Sequence, residues 1–277
     1  VISRLSYIRL LDQRDKNESN MFMRSFNLQG LIPAATIAAA LIFASAQPAV
    51  AAEAPLAGRI EKVQFANGAT AAAIKGELKG DQYVDYQVRG GAGQTLAVVL
   101  KPSNPQNYFN VNPPANETSM FVGNLAGNQF KRVLPMDGDY TIRVYLMRAA
   151  ARRNESSSYM LNISLEGRPL AANPSSKDAV IRGTPFNASA NTACARPSNP
   201  QLRRCDIYII RRGFDGSGTI EVNWPDGMKR NILFVRGDPL ATDSRDAMTY
   251  ARKGDVVVVY VGKDEQVEIP DVFVTGG

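Results

Sequence analysis

From Val63 to Leu165 the chain is cut into nine short runs rich in β-branched, aromatic and aliphatic residues, and the gaps between them carry turn chemistry. The runs are Val63–Phe65, Ala71–Leu78, Tyr83–Val88, Thr95–Leu100, Tyr108–Val111, Met120–Gly123, Phe130–Leu134, Tyr140–Met147 and Tyr159–Leu165. Lys79-Gly80-Asp81, Gly90-Gly91-Ala92-Gly93, Asn112-Pro113-Pro114 and Asp137-Gly138 punctuate them. Strands this short at near-regular spacing predict an antiparallel sandwich or barrel. Along Tyr140–Leu146, Tyr140, Ile142, Val144 and Leu146 alternate with Thr141, Arg143 and Tyr145, so one set faces a core and the other faces water. The stretch PLAANPSSK, inside residues 168–179, is enriched in Pro, Ala and Ser and reads as a linker. Beyond it, residues 180–277 hold a second β-rich unit with strands expected at Ile207–Ile210, Thr219–Asn223, Asn231–Val235, Val256–Val261 and Gln266–Ile269. Pro225-Asp226-Gly227 and Gly262-Lys263-Asp264-Glu265 are hairpin signals, and Ala241–Arg252 reads as a short helix.

The 277 residues include no histidine. That excludes Ser-His-Asp and Cys-His nucleophile systems and any histidine metal site. Hydrophobic residues make up 44% and charged residues 21%, ordinary for a globular protein. A net charge of +6 is too mild to signal nucleic-acid binding. The glycines of Gly90–Gly93 precede a β-rich run rather than a helix, so they read as a turn and not as a phosphate loop. Phe214-Asp215-Gly216-Ser217-Gly218 lacks the further carboxylates of a calcium loop and reads as a hairpin turn. Asp81 and Asp85, and Asp137 and Asp139, are carboxylate pairs with no sequence signal that they converge on a cleft. The expectation is a non-enzyme with no cofactor and no metal.

Residues 21–51 read as an export signal. Arg24 gives a basic start, Leu31–Phe43 an apolar run, and Ala49-Val50-Ala51 a small-x-small cleavage site. The run is shorter than the roughly 20 residues that span a bilayer, so stable membrane insertion is not expected. Residues 1–20 precede the first Met and read as a non-native upstream extension. Cys194 and Cys205 form an even pair in an exported chain and predict a disulfide.

One stretch joins a turn, a strand and a basic cluster: LPMDGDYTIRVYLMRAAARRNE, Leu134–Glu155. Arg143, Arg148, Arg152 and Arg153 read either as a solvated edge that blocks strand aggregation or as a patch for a partner's carboxylates. Tyr140 reads either as a core residue bonding its hydroxyl to nearby backbone or as a contact residue. With YVDYQVRGGAGQTLAVVL (Tyr83–Leu100), YFNVNPP (Tyr108–Pro114) and YMLNISL (Tyr159–Leu165), this stretch resembles the periplasmic lysozyme inhibitors of Gram-negative bacteria, in particular those of invertebrate-type and goose-type lysozymes. The likeness covers about residues 60–167, within an expected sandwich domain at 59–167. It implies an all-β fold, an antiparallel eight-stranded β-sandwich followed by the second small β-rich domain. It also implies a periplasmic or secreted inhibitor that fills the lysozyme cleft with a rigid loop of pattern Ser-Gly-x-x-Tyr or its shorter form. In that reading Asp137, Gly138, Asp139 and Tyr140 are the loop, and the four arginines are its basic rim. Asp137 stands where the pattern has Ser, and an ionised aspartate accepts hydrogen bonds but cannot donate them; Arg143 or Arg148 is expected to supply the missing donor. The other reading is a non-catalytic module that binds envelope glycan or peptide. The partner expected is lysozyme, with homodimerisation left open. The C-terminal half looks like an uncharacterised domain of exported bacterial proteins.

Overall fold

A computed structural model of the chain describes residues 58–114, 118–172, 178–196, 199–263 and 265–276. The expected upstream extension, the export signal and residues 173–177 of the expected linker lie outside the described residues. The described residues form one compact unit.

The first half is a sandwich of two sheets. Its strands are β1 (Gly58–Lys62), β2 (Ala71–Lys79), β3 (Tyr83–Gly90), β4 (Thr95–Pro102), β5 (Asn107–Asn112), β6 (Phe121–Val122), β7 (Gln129–Val133), β8 (Gly138–Leu146) and β9 (Ser156–Glu166). Two short helices, α1 (Gly123–Ala126) and α2 (Arg148–Arg152), interrupt them. One sheet has the order β1-β3-β8-β5-β6 and the other β2-β9-β4-β7. Strand alternation sorts the side chains as the sequence predicts. Tyr140, Ile142, Val144 and Leu146 of β8 are buried, while the residues between them face outward. They meet Leu96, Val98 and Leu100 of β4 and Leu161 and Ile163 of β9 in one core. Each fully buried large side chain contributes about 1.5–3 kcal/mol of transfer free energy, so this alternation stabilises the sandwich. The all-β class is as expected, with one addition. The described sandwich carries a ninth strand, β1, which pairs with β3 in parallel. The run Val63–Phe65 lies just past that strand, and Val63 and Phe65 pack against the core instead.

The second half is one eight-stranded antiparallel sheet curled towards a barrel. Its strands are β10 (Ala188–Arg196), β11 (Asn199–Arg211), β12 (Gly218–Asn223), β13 (Lys229–Val235), β14 (Asp238–Thr242), β15 (Met248–Lys253), β16 (Val256–Val261) and β17 (Glu265–Pro270), with α3 (Asp271–Thr275) at the end. The order is β14-β13-β12-β11-β10-β17-β16-β15. Ile207, Ile209, Ile220, Val222, Ile232, Phe234, Val257, Val259, Val267 and Ile269 pack in its core with the Cys194–Cys205 disulfide. The short helix expected at Ala241–Arg252 is absent, because β14 ends and β15 begins there. Met248–Lys253 contains good helix formers, but it lies opposite the Val256–Val261 run and pairs with it residue by residue. Tertiary pairing overrides local propensity here.

Candidate functional site

The turn Leu134–Gly138 enters β8 at one end of the sandwich. Gly138 has φ of 150°, and a Cβ there would lie 2.5 Å from the Pro114 ring. Glycine is therefore required both by conformation and by space. Tyr140 is fully buried, and its hydroxyl donates to the Met136 carbonyl at 2.9 Å. Burial pushes the phenol well above its ordinary pKa, with the Met136 bond opposing the shift and the nearby Asp243 and Asp137 charges adding to it. The group is a permanent donor that ties the strand to its own turn.

Asp137 is open to solvent on its outer side, yet both of its oxygens are engaged. Oδ1 accepts the Ala92 N–H at 2.8 Å, and Oδ2 accepts from Arg212 at 2.9 Å. The Gly90–Gly93 loop is thereby explained as a turn built for close approach. Ala92 supplies an amide to Asp137, and a Cβ on Gly91 would collide with Pro169. Asp139 is exposed and lies opposite Arg89 in the β3–β8 ladder, with the two charges 3.5 Å apart. Of the four loop residues, Gly138 and Tyr140 are buried, so Asp139 and the outer side of Asp137 form its accessible surface.

The arginines fall into two places. Arg143 lies on the outer face of the sheet, where it makes a bidentate pair with Asp85 at 2.7 Å and stacks over the Tyr83 ring at 4.3 Å. Arg148, Arg152 and Arg153 are exposed on and just after α2. Arg153 donates to Glu155 at 2.7 Å, and Asn104 donates to the same carboxylate at 2.8 Å. The Asn104 bond first, and Arg153 second, hold Glu155 below the usual carboxylate pKa. At about 3.3 Å per residue, β8 separates the turn from α2 by about 26 Å. The structure therefore does not bring Asp137–Tyr140 and the α2 arginines together. Two arginines that do pair with the turn, Arg89 and Arg212, have no signal in the linear sequence. Arg89 reaches the turn only through the ladder that pairs Arg89 with Asp139 and Gly90 with Gly138, and Arg212 comes from the other half of the chain.

The fold and the site together define a β-sandwich that presents a braced polar turn and is joined to a disulfide-bonded barrel. No family model matches the chain. It is 26% identical over 113 residues to the inhibitor of g-type lysozyme of Escherichia coli (strain K12), a match that takes in 40% of this chain and 84% of that protein. Among solved structures it is similar to a periplasmic inhibitor of g-type lysozyme from Aeromonas hydrophila, at 37% identity, over 39% of this chain and 97% of that one, with a TM-score of 0.36. The inhibitor from Salmonella Typhimurium is 26% identical over 39% of this chain and 98% of its own, with a TM-score of 0.32. By identity and coverage, the chain belongs to the family of periplasmic lysozyme inhibitors. The matches leave the larger part of the chain uncovered.

Proposed function

We propose that this chain is an exported, non-catalytic inhibitor of g-type lysozyme that works in the periplasm. The observation that carries the reading is the match to a curated g-type inhibitor over 84% of that protein's length. The turn end of the sandwich makes the contact. Asp139 and Arg89 are its exposed charges, and Tyr140 works from inside by holding the turn rigid. A loop ordered before binding loses little conformational freedom when it enters a cleft. Arg89 supplies the donor that Asp137 cannot, since a guanidinium pairs with a catalytic carboxylate in a planar fork. Arg143 is already committed to Asp85. Arg148, Arg152 and Arg153, at the far end, act through long-range attraction on the rate of encounter.

The test is cell-wall lysis by a g-type lysozyme in the presence of the purified protein. A stoichiometric excess is expected to stop lysis, and if it slows no g-type lysozyme the reading fails. Arg89→Ala is expected to raise the inhibition constant on the order of tenfold. Arg152→Ala is expected to slow association at low salt only.

A further inference from the structure

One group of contacts between the barrel and the sandwich falls directly on the turn. Arg212, just past β11, has a side chain only 1% exposed. Its Nη1 donates to Asp137 Oδ2 at 2.9 Å and to the Leu170 carbonyl at 2.6 Å. Its Nε donates to Thr219 Oγ1 at 3.1 Å, and that hydroxyl donates onward to the Pro135 carbonyl at 2.8 Å. The barrel thus grips the turn at Pro135 and at Asp137. The other oxygen of Asp137 accepts the Ala92 amide, which carries the grip across to the Gly90–Gly93 loop. A guanidinium stays charged at any pH a folded protein meets, and burial makes a carboxylate partner valuable to it. Asp137 and Arg212 are therefore a matched pair, and a serine at position 137 would leave the buried cation without its counter-charge.

We propose that the C-terminal barrel is a positioning module for the turn, with Arg212 as the positioning residue acting through Asp137. This rests on the inhibitor reading above. It gives the unmatched half of the chain a role: the barrel sets the conformation in which the turn meets lysozyme.

The experiment uses the full chain with Arg212→Gln and Asp137→Ser, singly and together. Two quantities are read: the inhibition constant against a g-type lysozyme and the hydrogen-exchange rate of the Ala92 amide. Arg212→Gln is expected to raise the inhibition constant on the order of tenfold and to speed Ala92 exchange. In the Asp137→Ser background the same change is expected to alter inhibition less than about twofold, since the pair is already broken. Equal effects in both backgrounds would overturn the proposal, because Arg212 would then support the fold and not the turn. Tighter inhibition by Arg212→Gln would also overturn it, because the barrel would then be covering the turn. If Arg212→Gln does not fold, Asp137→Asn leaves Arg212 its bonds to Leu170 and Thr219 and carries the same expectation. If the unaltered protein inhibits no g-type lysozyme, the inhibitor reading fails by itself, and unchanged Ala92 exchange in the folded variants still overturns the clamp.

Discussion

Tyr140 separates a residue that makes a contact from one that makes a contact possible. Its ring is in the sandwich core and its hydroxyl reaches back four residues to Met136. Tyr140→Phe keeps the ring and loses one hydrogen bond, at a cost of about 1 kcal/mol. Because that bond braces the turn, inhibition by Tyr140→Phe is expected to weaken by about fivefold, while Tyr140→Ala opens a ring-sized void and costs about 3–5 kcal/mol. Urea unfolding beside a lysis assay checks both. A folded Tyr140→Phe protein that inhibits as well as the unaltered one would mean that the hydroxyl bond does not brace the turn. At this scale the sequence is partly legible. Asp137-Gly138 announces a turn because glycine tolerates the backbone angle found there. The partner of Asp137 is not legible, since Arg212 is 75 residues away and only the fold brings them together.

Elements are legible where alternation is strong. β8 carries its alternating burial in its residue types, and β16 is legible in a different way, as an unbroken run of β-branched and aromatic residues that is mostly buried. β10, β14 and β15 give no such signal because small, polar or charged side chains predominate and the large Leu240 and Tyr250 are exposed, so their pairing partners define them. β14 and β15 are the two ends of the barrel sheet, and no ladder joins them among the described residues. Arg252 of β15 crosses that seam instead. It donates to the Gly237 carbonyl at 2.8 Å and pairs with Asp238 at 3.1 Å, and with Asp271 at 3.0 Å. The group is partly exposed, so Arg252→Ala is expected to cost less than about 1 kcal/mol. Its signature is local: amide exchange should rise along β14 and β15 while β11 and β12 stay protected. Uniform exchange across the barrel would show that Arg252 does not hold the seam.

At the scale of the whole molecule, composition suggests two separate units, because Pro, Ala and Ser accumulate between the halves. What composition cannot reveal is how much the halves bury against each other. Ala92 of the sandwich and Leu233 and Ala241 of the barrel form a small buried cluster, with Val133, Leu170 and Val235 packed around it. Arg132 of β7 donates to the carbonyls of Ser244 and Arg245 at 2.6 and 2.8 Å. With the Arg212 clamp, these contacts join charged, polar and apolar groups across one boundary. Domains that touch lightly unfold separately, and domains that share buried groups unfold together. Calorimetry is therefore expected to give one heat-absorption peak for the two halves. Leu233→Ala, which removes the centre of the cluster, should cost about 2–5 kcal/mol and lower the melting temperature of that single peak. Two well-separated peaks in the unaltered protein would mean that the halves are independent, and the barrel could then hold the turn only while both remain folded.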